Sequence, residues 1–188
     1  MPDPVSPIEL TAKLVAFDTT SALSNLPLID FVADYLKGFG VASEILPDPT
    51  GKKANLVATF GGGDAEGGII LSGHSDVVPV KGQAWNTDPF EVIEKDGRLY
   101  GRGTADMKSF IAVVLALVPE FLAKPLKTPV RLAVSYDEEV GCLGAPSLAK
   151  FMATGTDAAP TIVIVGEPTS MRVVTAHKGI RSFRTTVT

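Results

Sequence analysis

Six side chains able to bind a metal or move a proton stand at the ends of apolar runs: His74, Asp76, Asp106, Glu138, Glu139 and Glu167. The stretches that hold them read L-S-G-H-S-D-V-V-P, G-R-G-T-A-D-M-K, S-Y-D-E-E-V-G and V-I-V-G-E-P-T-S. Several carboxylates with one imidazole suit a pair of borderline divalent cations. The carboxylates neutralise charge, one of them can bridge, and the imidazole adds a softer nitrogen. That chemistry is hydrolysis assisted by two metals.

Each local reading has a plainer rival. His74 and Asp76, two residues apart on extended chain, point the same way, so Asp76 can accept from the second ring nitrogen of His74; the triplet could also be a polar strand end. Asp106 opens an apolar helix, where an aspartate is an ordinary N-cap or, beside Gly101 and Gly103, a carboxylate bridging two cations. Glu138 and Glu139 are adjacent and diverge, so one can bind metal while the other serves as general base and acid; the pair could equally be a solvated acidic turn. Glu167 has the same two readings. Gly101-Arg102-Gly103 lacks the spacing and the lysine–serine ending of a P-loop. Cys142 has no histidine near it in sequence and reads as a small buried or semi-exposed residue rather than a nucleophile. Ser72, Ser75 and Ser135 lack a nucleophile elbow.

The elements that would position these groups follow from periodicity and punctuation. Ser6-Pro7-Ile8-Glu9 is a capping box with proline at the first helical position, and predicts a helix to about Thr19. A second helix is expected from Pro27 to Lys37. Asn55–Phe60, Gly68–Ser72, Val130–Ser135 and Thr161–Val165 read as strands, and the three that deliver His74, the acidic pair and Glu167 read as buried on both faces. Asp96-Gly97 signals a hairpin. Asp106 to about Leu122 is helical, with Pro119 kinking or ending it, and a short helix is expected over Ala145–Met152. Arg172–Ala176 and Ser182–Val187 alternate as ordinary strands do. Buried strands alternating with helices predict an α/β sheet flanked on both faces. Its ligand site should lie beyond the strands' carboxyl ends.

Bulk composition narrows the partners. The 188 residues are 45% hydrophobic and 20% charged, enough for one domain with a real core. Seventeen basic and 21 acidic residues leave a net charge of −4, which disfavours nucleic acid and anionic membrane as partners. No apolar run reaches bilayer length, and the start M-P-D-P-V-S-P lacks the marks of a secretory signal. Cys142 is the one cysteine, so no internal disulfide forms and a cytoplasmic location is expected.

Taken together, the motifs resemble the two-metal deacylase and peptidase family that includes acetylornithine deacetylase, succinyl-diaminopimelate desuccinylase, carboxypeptidase G-like enzymes and aminoacylases. G-H-S-D-V-V-P, W-x-x-D-P-F (Trp85, Asp88, Phe90), D-G-R-L-Y-G-R-G-x-x-D-M-K, D-E-E and G-E-P-T-S occur in that order across nearly the whole chain. The G-T-A-D-M-K and A-H-K-G stretches are most similar to the acetylornithine deacetylase side of the family.

The resemblance implies a zinc-peptidase-like sheet flanked by helices. Residues 1–178 would be the N-terminal part of the catalytic domain, and 179–188 the start of an inserted dimerisation domain of a homodimeric enzyme. It implies two divalent metals, zinc or cobalt: His74 and Glu167 on one, Glu139 on the other, and Asp106 bridging across a cis Asp106–Met107 peptide. Asp76 would orient His74, and Glu138 would be the general acid and base. The substrate would be a small N-acyl amino acid, N2-acetyl-L-ornithine or, alternatively, succinyl-diaminopimelate or a dipeptide. The family takes a further histidine ligand from far downstream; His177 is expected to face substrate or to be structural. On that basis the chain is expected to be the N-terminal portion of a longer enzyme, with an incomplete second metal site and little activity alone.

Overall fold

The computed structural model describes residues 3–61, 67–154, 160, 162–176, 178–179 and 183–187. Helix α1 (Pro7–Val15) begins at the capping box: the Ser6 side chain accepts from the Glu9 amide at 3.2 Å and the Glu9 carboxylate accepts from the Ser6 amide at 3.0 Å. It stops short of Thr19 because Asp18 turns the chain. The Asp18 carboxylate accepts from the amide and hydroxyl of Thr20, a local bond that competes with the helix, and Thr20 then bridges to Val77. Helix α2 (Leu26–Gly38) follows, and the chain turns at Gly40, whose φ of 76° suits glycine.

Strands β1 (Ser43–Pro47), β2 (Ala54–Phe60) and β3 (Ile69–His74) come next, then the hairpin β4 (Ile93–Lys95) and β5 (Arg98–Tyr100). Asp96 and Gly97 both have positive φ, as the two-residue hairpin turn demands. The apolar run after Asp106 forms α3 (Lys108–Ala116) and α4 (Val118–Ala123), which part at Leu117 with Pro119 in the first turn of α4. Strand β6 (Val130–Ser135), α5 (Ala145–Thr154) and β7 (Ile162–Val165) complete the order.

The main sheet runs β1-β2-β6-β3-β7. β1, β2 and β6 pair antiparallel, whereas β6, β3 and β7 are parallel. Alternation along the strands builds two layers of core. Leu56, Ala58, Phe60, Leu132 and Val134 face α1 to α4, and Val57, Ile70 and Ala133 face Leu148 of α5.

The structure departs from the sequence reading at one strand that was missed and at two expectations. β1 gave no usable signal, because it is a half-exposed edge strand ending in proline. β7 is not buried on both faces: its four residues are 46–56% exposed, since it lies at the sheet edge beyond the strands against which Leu148 packs. Residues 172–176 and 183–187 form no strand; alternation makes a strand only where a neighbour supplies hydrogen bonds, and none does among the described residues. Ser182 and Thr161 lie outside the described residues.

The contrast between β6 and β7 is measurable. Leu132→Ala, at a fully buried position, should cost about 2–5 kcal/mol of stability in urea unfolding. Ile164→Ala on the exposed edge should cost less than half as much; equal losses would refute this assignment of burial.

Candidate metal centre

The parallel register gathers the site. His74 is paired with Ser135, and Ser72 with Val165. The residues just past β6 and β7, Glu138 and Glu167, therefore reach the same sheet edge as His74, the last residue of β3. Asp106 arrives from the loop before α3, through a cis peptide to Met107.

His74 is buried, with its Nε2 2.9 Å from Asp106 Oδ1, 3.7 Å from Glu167 Oε1 and 3.9 Å from Glu138 Oε2. One ligand atom from each of His74, Asp106 and Glu167 can be chosen so that all lie within 4.8 Å of one another. Nδ1 lies 2.9 Å from the main-chain oxygen of Asp76 and 3.4 Å from its carboxylate. Both are acceptors, so Nδ1 carries a proton; Nε2 faces the carboxylates and would give up its own proton to a bound cation. Asp76 thus addresses the imidazole with its main chain as well as its side chain.

The buried Asp76 carboxylate has further partners. It accepts from the Ser21 hydroxyl at 2.7 Å and from the amides of Glu138 at 3.0 Å and Glu139 at 3.3 Å. Burial alone would raise its pKa, but His74, Ser21 and the Glu138 amide outweigh that and hold it below the usual carboxylate range. Burial likewise opposes charge on His74, yet Asp76, Asp106 and Glu167 hold the imidazole up at about 9. Glu139 is pushed up by burial and by Asp106, and Glu167 by burial and then by Asp106 and Glu138 in spite of His74. Like-charged oxygens converging on one imidazole are the donor set a divalent cation satisfies, so the residues present fit the metal their types suggested. Glu138, Cys142, Met107, His74 and Glu167 line a cavity of about 290 Å³ open to solvent.

Several participants were missed from sequence. Ser21 reaches Asp76 from the loop after α1. Asn25 holds Ala54 on both its amide and its carbonyl, and donates to the Ser75 hydroxyl. Lys108, buried beside the site, donates to the Phe17 carbonyl at 2.7 Å, and burial lowers it to about 7 against Asp18 and Asp76. Adjacent residues gave no clue to the first two, since Ser21 and Asn25 lie in the polar stretch D-T-T-S-A-L-S-N; Lys108 stands at the head of an apolar run. The exposed Cys142 donates to Glu138 Oε1 at 3.5 Å, and burial and Glu138 raise its thiol pKa, the opposite of an activated nucleophile. His177 lies outside the described residues.

An α/β sheet with an acid-and-imidazole cluster beyond its parallel strands is the architecture of a metallohydrolase. Residues 70–181 match the model of peptidase family M20/M25/M40, and the chain belongs to that family. It is 39% identical to acetylornithine deacetylase of Pasteurella multocida (strain Pm70) and 40% identical to that of Proteus mirabilis (strain HI4320), each over 179 residues. The alignments cover 92% of this chain and 45% of each relative, so the chain spans about half the length of the curated relatives it matches. Among solved structures, human carnosine dipeptidase 1 superposes with a TM-score of 0.72 at 21% identity, covering 85% of this chain and 38% of that one. A metallo-carboxypeptidase from Sulfolobus solfataricus also gives 0.72, at 20% identity over 86% of this chain and 37% of its own. At such identities the likeness concerns the fold. No helix among the described residues is long and apolar enough to cross a membrane.

The charge balance has a testable sign. Folding raises the His74 pKa from 6.5 to about 9 in the metal-free protein, so the stabilisation is complete below pH 6.5 and is lost as pH rises through about 9. The stability advantage of wild type over His74→Asn should shrink across that window in urea unfolding. Lys108 drifts the other way in both proteins and cancels from the difference; a constant gap would contradict the charge assignment. Separately, Asp76→Asn should weaken zinc binding about 10–100-fold by calorimetry, and unchanged affinity would remove Asp76 from the support of the site.

Proposed function

We propose that this chain forms the metal-binding part of an amidohydrolase that removes the acetyl group from N2-acetyl-L-ornithine. The observation that carries the reading is 39–40% identity to acetylornithine deacetylases over 92% of the chain, a span that includes the clustered His74, Asp106 and Glu167. We assign residues 1–178 to the catalytic domain and 179–188 to the start of an inserted dimerisation domain in a cytoplasmic homodimer.

His74 and Glu167 would hold one cation, Glu139 the other, and Asp106 both; zinc or cobalt suits such mixed nitrogen and oxygen ligands. Bound there, the cations supply Lewis-acid charge for the acyl oxygen and lower the pKa of water. The chain's own residues supply the proton path. Glu138 stands at the cavity wall with its side chain 38% exposed, where a substrate entering that cavity with its water would meet it. It takes the proton of the attacking water and returns it to the departing amine as the amide C–N bond breaks. Asp76 keeps the imidazole in the tautomer that turns Nε2 toward the carboxylates.

Glu138→Gln keeps size and shape but removes the proton acceptor. In the complete metal-loaded protein it should lower kcat on N2-acetyl-L-ornithine about 10²-fold or more while metal content stays unchanged. A variant with near-wild-type kcat would remove Glu138 from the mechanism. Faster turnover of succinyl-diaminopimelate or a dipeptide by wild type would reassign the substrate.

A further inference from the structure

We infer that Lys53 and Asp137 form a positioning pair that sets Glu138 for proton transfer, an inference that rests on the role just assigned to Glu138. The Glu138 carboxylate makes few bonds of its own. Its neighbours are the Cys142 thiol at 3.5 Å and His74 Nε2 at 3.9 Å. Its place is therefore set by its backbone, and that backbone is held on several sides.

Asp137, one residue before it, is nearly buried and adopts a left-handed φ of 54°. The Lys53 ammonium donates both to the Asp137 carboxylate and to the Ser21 carbonyl. Lys53 is itself held at the turn before β2, where the Asp48 carboxylate accepts from its amide at 3.0 Å. Ser21 in turn donates through its hydroxyl to Asp76, which receives the Glu138 and Glu139 amides. One ammonium thus ties together the loop after α1, the turn before β2 and the loop that carries the acidic pair. The far end of that loop is closed by Asn55, which accepts from the Tyr136 amide at 3.2 Å and donates to the Gly144 carbonyl at 2.9 Å. A Cβ on Gly144 would lie 2.6 Å from the Asn55 oxygen, so the closure requires glycine there.

Without Lys53 the Asp137 carboxylate loses its charge partner in a nearly buried place, and the left-handed turn under Glu138 loses its anchor. Neither residue lines the cavity or belongs to the cluster of His74, Asp106 and Glu167, so the pair acts through the loop that carries Glu138 and Glu139.

The test uses Lys53→Met, Lys53→Arg and Asp137→Asn in the complete metal-loaded protein; asparagine tolerates left-handed backbone, which keeps the second site foldable. Lys53→Met and Asp137→Asn should each lower kcat about 10-fold or more with KM and metal content little changed, and Lys53→Arg should restore part of the loss. Hydrogen exchange at the Glu138 and Glu139 amides should speed up in the two charge-removing variants, a readout independent of turnover. Wild-type kcat with unchanged amide protection would overturn the pair's role, as would a loss confined to KM or to metal content. Faster exchange in the variants of a wild-type protein that hydrolyses no N-acyl amino acid would support the positioning role and overturn only the functional reading.

Discussion

A single buried carboxylate, that of Asp76, joins the parts of this site. It sits beside the imidazole of His74 and receives the Ser21 hydroxyl and the amides of Glu138 and Glu139. Burying an ionised carboxylate is costly unless its oxygens are satisfied, and here each oxygen has a donor from a different part of the chain. The strand that carries the imidazole and the loop that carries the acidic pair are fastened to the same group. Neither can shift without exposing a charge.

The sheet makes that junction possible. Parallel pairing of β6, β3 and β7 puts three carboxyl ends side by side, and the loops that leave them project to one side. The antiparallel half of the sheet, β1 and β2, packs with α2 and supplies the supporting residues Lys53 and Asn55 from the other direction. Stability and chemistry are thus divided. The apolar core lies between the sheet and its helices, whereas the acid-and-imidazole cluster sits at the rim, where burial is partial and opposed charges can be exchanged for a cation.

Crowding explains the electrostatics. Asp106, Glu138 and Glu167 converge on one imidazole, which rises to about 9, while Glu139 and Glu167 rise too. Such an arrangement is poor as a purely structural ion cluster, because repulsion among carboxylates is only partly offset by one cationic ring. It suits a site that holds divalent cations and moves a proton.

The sequence by itself determined the local elements and the cast of the site. The capping box at Ser6, the turn at Asp96-Gly97 and the apolar strands Val130–Ser135 and Gly68–Ser72 were legible because caps, turns and period are written in adjacent residues. The candidates stood out because chemically conspicuous types ended apolar runs in a family-like order, and folding brings His74, Asp76, Asp106, Glu138 and Glu167 together. Tertiary structure decided what depends on neighbours remote in sequence. It exposed β7, whose apolar residues read as buried, because a strand's burial is a property of its place in the sheet. Among the described residues it left 172–176 outside any strand, for the same reason. It also chose Ser21, Lys53 and Asn55 as supports of the site, from 55, 84 and 81 positions away from the residues they hold. An ordinary serine, lysine or asparagine acquires such a role only when folding removes water and leaves one partner within reach.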